Sequence, residues 1–323
     1  MGERFGTTLE FDDVSYPDDH AKSGADPEGS EVNQAYLSYK VGKTTVKYGR
    51  QRILLDNQRF VGGVGFRQNE QTYDGFTVQS KDLADTTLFA AYIRNVNRIF
   101  GDDSPIGDHE QGSTYLLNAK YEGLSFGKFT GYHYSIDNEN ALHYSTKTTG
   151  LRFQGKINDS YSYNLEYARQ TDSGDNPNDY SAAYTLAEFK AKFSPVTITV
   201  GNETLGADGD SGQFITPLAT LHKFQGWSDQ FLGGGTGNVA GGISDTYIKA
   251  VTKVAGFKFG AFYNMLSADD SEVAGVSDYG TEIGLLAAKK FGPVGLSVKY
   301  AQFKEDETDD VLSKLWLTTE AKF

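Results

Sequence analysis

Cysteine is absent from the chain, which excludes disulfides and thiolate metal sites. Only two tryptophans, two methionines and seven prolines occur. No apolar run is long enough for a transmembrane helix. No signal peptide is legible, so a mature or trimmed chain carrying an added Met1 is expected. Hydrophobic residues make up only 38% of the 323 positions. So low a share would suit a disordered chain, but disorder also lacks aromatics, and here there are 20 Tyr and 21 Phe alongside 37 Gly. A transmembrane β-barrel reconciles these values. Only alternate strand residues meet lipid, which keeps the apolar share low, while aromatic girdles raise Tyr and Phe. The formal net charge of −13 argues against nucleic acid as a partner.

Period-2 alternation recurs along the chain and helical periodicity is nearly missing. In FKFGAFYNM, Phe257, Phe259, Ala261, Tyr263 and Met265 share a face opposite Lys258 and Asn264. In LSVKY, Leu296, Val298 and Tyr300 oppose Ser297 and Lys299. Short turns, such as Gly42-Lys43, Glu122-Gly123, Ser194-Pro195 and Gly292-Pro293, alternate with long acidic loops such as 12–30, 97–111 and 267–278. Short turns at one end and long loops at the other are the outer-membrane barrel pattern, and the count between them is about sixteen strands. The strand near residues 3–11 should pair with the last, near 312–323, and leave no open edge. The chain is thus expected to be one all-β transmembrane domain over 1–323, placed in the outer membrane.

Two loops stand out. The first lies between strands TTVKYG and TYDGFTV and holds Arg50, Arg52, Arg59 and Arg67 with only Asp56 and Glu70 as acids. A bulge at Gly49 would turn Lys47, Arg50 and Arg52 inward. The second, residues 201–244, is too long for a plain connector. Within it TPLATLHKFQGWSDQFL suggests one short helix, with Thr216 as N-cap, Pro217 at N1 and an apolar stripe of Leu218, Leu221 and Phe224. It would plug or constrict the lumen, or form a surface cap.

GRQRILLDNQRFVGGVGFRQNEQT, TPLATLHKFQGWSDQF and VNQAYLSYK resemble the alginate-export-type outer-membrane porins of Gram-negative bacteria. The resemblance implies a monomeric barrel passing anionic polysaccharide or smaller anions, with eighteen strands in a full-length parent. A C-terminal amphipathic strand ending in Phe323 is also similar to the assembly signal of such proteins.

Placing each apolar face toward lipid turns Lys40, Lys47, Lys120, Arg152, Lys190, Lys249, Lys258 and Lys299 inward, with Glu166, Glu188, Glu282 and Glu320. The lumen is therefore biased positive in an acidic protein. The expected pore-lining set is Arg50, Arg52, Arg59, Arg67, Lys47, Lys120, Arg152, Lys190, Lys249, Lys258 and Lys299, with no catalytic residue, metal or cofactor. The five histidines, His20, His109, His133, His143 and His222, make no metal spacing. The local Ser/His neighbours Ser135 and Ser145 beside His133 and His143 suit strand packing better than hydrolysis. The expected function is an anion-selective channel for solutes such as uronate or alginate-type oligosaccharides, with outer-membrane lipid and lipopolysaccharide around it. An unselective general-diffusion porin and a binding or structural barrel with a closed lumen remain open alternatives.

Overall fold

A computed structural model describes residues 5–12 (backbone only), 32–67, 69–101, 104 and 107–321. The acidic stretch 13–31 and Phe323 fall outside them. Sixteen strands follow one another: β1 (Phe5–Asp12), β2 (Ala35–Val41), β3 (Thr44–Gln51), β4 (Thr72–Ser80), β5 (Thr86–Asn97), β6 (Asp108–Leu124), β7 (Gly127–Ile136), β8 (Thr146–Lys156), β9 (Tyr161–Asp172), β10 (Ser181–Phe193), β11 (Val196–Leu205), β12 (Ile243–Val254), β13 (Phe257–Ser267), β14 (Asp278–Phe291), β15 (Val294–Glu305) and β16 (Val311–Ala321). Each pairs antiparallel with its neighbour in sequence from β2 to β16, and β1 pairs with β16. The ladder thus ends on β1 and β2, and no ladder joins those two among the described residues.

The wall follows the alternation read from sequence. On β13, Phe257, Phe259, Tyr263 and Met265 are exposed while Asn264 and Leu266 are buried. On β16, Leu317 is exposed and its neighbour Trp316 is buried. The exposed set is the lipid face. The buried set points inward, and β3 to β16 each have their backbone groups paired by a strand on either side, as a lipid surround requires. Leu317 lies opposite Val298 on β15 and Leu9 on β1, inside this apolar band. Leu317→Arg should cost about 2–4 kcal/mol near the midplane. Refolding equilibria in lipid vesicles check this, and an unchanged midpoint would mean the face is assigned wrongly.

Two local expectations change. The ladder runs through Gly49 without a register shift on either side. Gly49 adopts φ +120, and a Cβ there would sit 2.4 Å from the Ala35 carbonyl oxygen, so glycine serves close strand approach rather than a bulge. The irregularity falls instead on β5, where pairing skips Arg94. The turn after β6 also comes later than read, because β6 continues through Glu122 and Gly123 to Leu124.

Candidate pore constriction

The loops at residues 52–71 and 206–242 do not stand out in solvent. Each carries apolar side chains that need a dry place, and a fully buried one is worth about 1.5–3 kcal/mol. Phe60, Val61, Phe214, Leu218 and Phe231 find it in the barrel interior. Phe60 packs on Tyr132, Tyr184 and Phe214 at ring distances of 5.3, 5.1 and 5.8 Å. Phe231 meets Phe303 of β15 at 5.7 Å.

The two loops are stitched to each other. Val61 and Leu218 form a parallel bridge, Gly62 N donates to Leu218 O at 2.8 Å, and Thr220 N donates to Gln58 O at 3.0 Å. Tyr73 of β4 donates its hydroxyl to Gly62 O at 2.7 Å. These contacts explain why the helix expected over TPLATLHKFQGWSDQFL does not form. Its backbone groups are spent on the first loop, and only a 3-10 turn at Leu221–Lys223 remains. Thr216 is no N-cap; its hydroxyl accepts from Arg59 Nη1 at 3.2 Å. Beyond the turn, Gly226 takes φ +89, and a Cβ there would strike the Glu282 carboxylate. That glycine lets Trp227 N and Ser228 N, with the Ser228 hydroxyl, all donate to Glu282 of β14.

The arginines of the first loop divide. Arg59 is 0% exposed and pairs through Nε with Glu203 of β11 at 3.0 Å. Glu203 also accepts from the Tyr184 hydroxyl at 2.8 Å. Arg59 therefore cannot touch a passing solute. Arg52 is forked onto Glu70, with Nε–Oε2 at 2.7 Å. Arg50 shares the outer parity of Tyr48 and pairs with Asp74 at 3.0 Å, so it leaves the lumen set. Arg67 is half-buried, its guanidinium 5.0 Å from the Phe66 ring centroid. On the wall, Arg152 is buried against Glu166, with Nε–Oε2 at 2.7 Å, and reaches Asn57 of the first loop at 2.9 Å. The expectation that the arginines line the pore is thus wrong for Arg50, which faces outward, and for Arg59 and Arg152, which are buried in ion pairs.

The lysines do project inward. Lys47 and Lys120, with Arg52 and Asp56, line an interior cavity of about 240 Å³ between β3–β6 and the first loop. Lys120 Nζ is 3.8 Å from Asp56. Lys190 and Lys249 share one register row, each opposite Thr199 of β11. Lys249 stands 4.0 Å over the Tyr247 ring, while Lys258, facing Lys253, is exposed at the short-turn end. Lys299 sits among rings, 4.1 Å from Trp316, 5.1 Å from Trp227 and 5.8 Å from Phe66, and touches His222 Nε2.

The residue that sequence reasoning missed is Lys223. The 3-10 turn presents it to solvent, its Nζ donating to Asn57 O at 2.8 Å. Partial burial lowers its pKa, and the positive charges of Lys249 and Arg152 lower it further. Burial likewise lowers that of His222 next to it, with Lys299 and Arg67 acting in the same sense and Asp229 opposing. His222 Nδ1 lies 2.8 Å from the Asp229 carboxylate. The turn thus gathers Lys223, Lys249, Lys299 and Arg67 on the inward side of a strongly acidic protein. Only its HK dipeptide marked the spot in sequence.

The family model described as alginate export matches residues 1–193. The chain belongs to the alginate export family. No curated protein sequence matches it. Solved structures share the fold: Acinetobacter baumannii OccAB2 has a TM-score of 0.68 at 18% identity, over 88% of this chain and 75% of that one. Pseudomonas aeruginosa OccK9 (OpdG) gives 0.68 at 15% identity over 89% and 76%, and OccD3 (OpdP) of the same organism 0.67 at 16% over 91% and 78%. This member of the alginate export family is an outer-membrane β-barrel channel, and not an enzyme.

Proposed function

We propose that this channel passes anionic solutes, uronate-type oligosaccharides among them, by diffusion through a constriction made where the 206–242 loop folds across the lumen. The observation that carries the reading is Lys223, an exposed ammonium held in place by the Asn57 carbonyl with Lys249 nearby. Fixed cations in a narrow aqueous passage concentrate anions and replace part of their hydration. Lys190, Lys47 and Lys120 extend the positive lining from this point, Arg52 and Arg67 border it, and Lys299 and Lys258 complete it on the wall. The buried Arg59–Glu203 and Arg152–Glu166 pairs are scaffold for it.

Lys223→Gln with Lys249→Gln tests the reading in planar bilayers. The reversal potential in a salt gradient should shift toward cations, more at 0.01 M, where the Debye length is about 30 Å, than at 0.1 M, where it is about 10 Å. An unchanged reversal potential with intact conductance would sink the proposal. Zero reversal potential in the wild type would favour the unselective porin, and no conductance the closed barrel.

A further inference from the structure

The long-loop rim of the barrel carries a basic cluster on its outside, where no solute path runs. Lys147 of β8 and Arg169 of β9 have the parity of the lipid-facing Leu151, Leu165 and Tyr167, and all five are exposed. The register places Thr149 directly opposite Arg169, with His133 of β7 on its other side, and Lys147 one step along β8. His133 Nδ1 lies 2.7 Å from the Thr149 hydroxyl. Neither Lys147 nor Arg169 has a hydrogen-bond or ion-pair partner among the described residues. Of the acids at this rim, which include Glu139, Asp172, Asp175 and Asp179, Asp137 has its carboxylate committed to Ser113 N at 2.9 Å. At another point of the rim, Lys304 is paired with Asp309.

Directly along the same face lies an apolar groove of about 530 Å³. Ala187 leaves the space, and Leu165, Phe189, Val200, Ile248 and Met265 wall it. Four residues of β9 separate Leu165 from Arg169, a distance of about 13 Å in an extended strand. A cationic pair at the water interface above an acyl-sized groove in the lipid face is complementary to one kind of molecule, an anionic lipid whose phosphate sits at headgroup depth. Arginine and lysine favour phosphate through charge-assisted hydrogen bonds. The small polar side chains around them suit a sugar headgroup better than a compact one.

We infer that this face is a binding site for a phosphorylated acyl glycolipid of the outer leaflet, the lipid A class, with phosphate on Lys147 and Arg169 and an acyl chain in the Ala187 groove. The site is independent of the pore reading, since none of its residues faces the lumen.

Native mass spectrometry of the full chain in mild detergent tests this, with bisphosphorylated lipid A, dephosphorylated lipid A and phosphatidylethanolamine as probes. Bisphosphorylated lipid A should be retained best. Lys147→Gln with Arg169→Gln should weaken it roughly tenfold or more, the scale of one lost charge-assisted contact. Ala187→Trp, which fills the groove without changing charge, should also weaken it, while lumenal Lys190→Gln should not. Single-channel conductance should be unchanged in the Lys147/Arg169 variant. Equal retention of the three lipids, or of lipid A by wild type and the double variant, would overturn the site. So would a second copy of the chain bound in place of lipid.

Discussion

Arg59→Met should destabilise the seated loops by about 3–5 kcal/mol, the usual cost of removing one partner from a buried ion pair. The guanidinium is wholly buried, and its removal leaves the Glu203 carboxylate in the interior with only the Tyr184 hydroxyl as donor. It also takes away the donor to Thr216 and the cation 4.8 Å from the Phe224 ring, both in the second loop. Because Arg59 ties the first loop to β11 and to the second loop together, both loops should loosen at once. Hydrogen exchange across residues 52–71 and 206–242 checks this, with the strands as internal reference. Arg59→Met with Glu203→Leu should recover much of the loss, since replacing both members of a buried pair by apolar groups is often neutral. Protection unchanged in the single variant would show the pair to be dispensable.

Glu282→Leu is expected to release the second half of the long loop while sparing the first. The carboxylate is 0% exposed and accepts from Trp227 N, Ser228 N and the Ser228 hydroxyl. Leucine fills the volume and offers no acceptor. Each buried donor left without a partner costs about 1–3 kcal/mol, so with three donors the local cost reaches several kcal/mol. Trp227, now packed edge-on against Phe262 at 4.5 Å, should become mobile. Protease cleavage between residues 226 and 242, and a noisier open-channel current, are the readouts. Intact strands should persist, because the β13–β14 and β14–β15 ladders do not depend on that side chain. Cleavage at the wild-type rate would mean that other contacts, such as Phe231 on Phe303, hold the loop by themselves.

The wall was open to reading from local pattern. A strand shows alternate faces to lipid and lumen, so Leu296, Val298, Phe259, Tyr263 and Leu317 declare their side within a few residues of sequence. Strand number followed from the alternation of short turns with long loops, and the inward parity of Lys47, Lys120, Lys190, Lys249 and Lys299 from the same period. The two inward-folding loops were recognisable as unusual by arginine content and by length. What each of their side chains does was not. Arg59 finds Glu203 at a separation of 144 residues, and Gln58 accepts from Thr220 at a distance in sequence as great. Such pairings leave no local periodicity. They replaced the helix that Thr216-Pro217 suggested, converted the most conspicuous arginine from a pore residue into a buried strut, and brought forward Lys223, which has no distinctive context in the chain. Alternation is a property of one strand and is written into its residues. The seating of the two loops is a property of their meeting inside a curved sheet, and only tertiary packing decides which of their charges are neutralised and which face water.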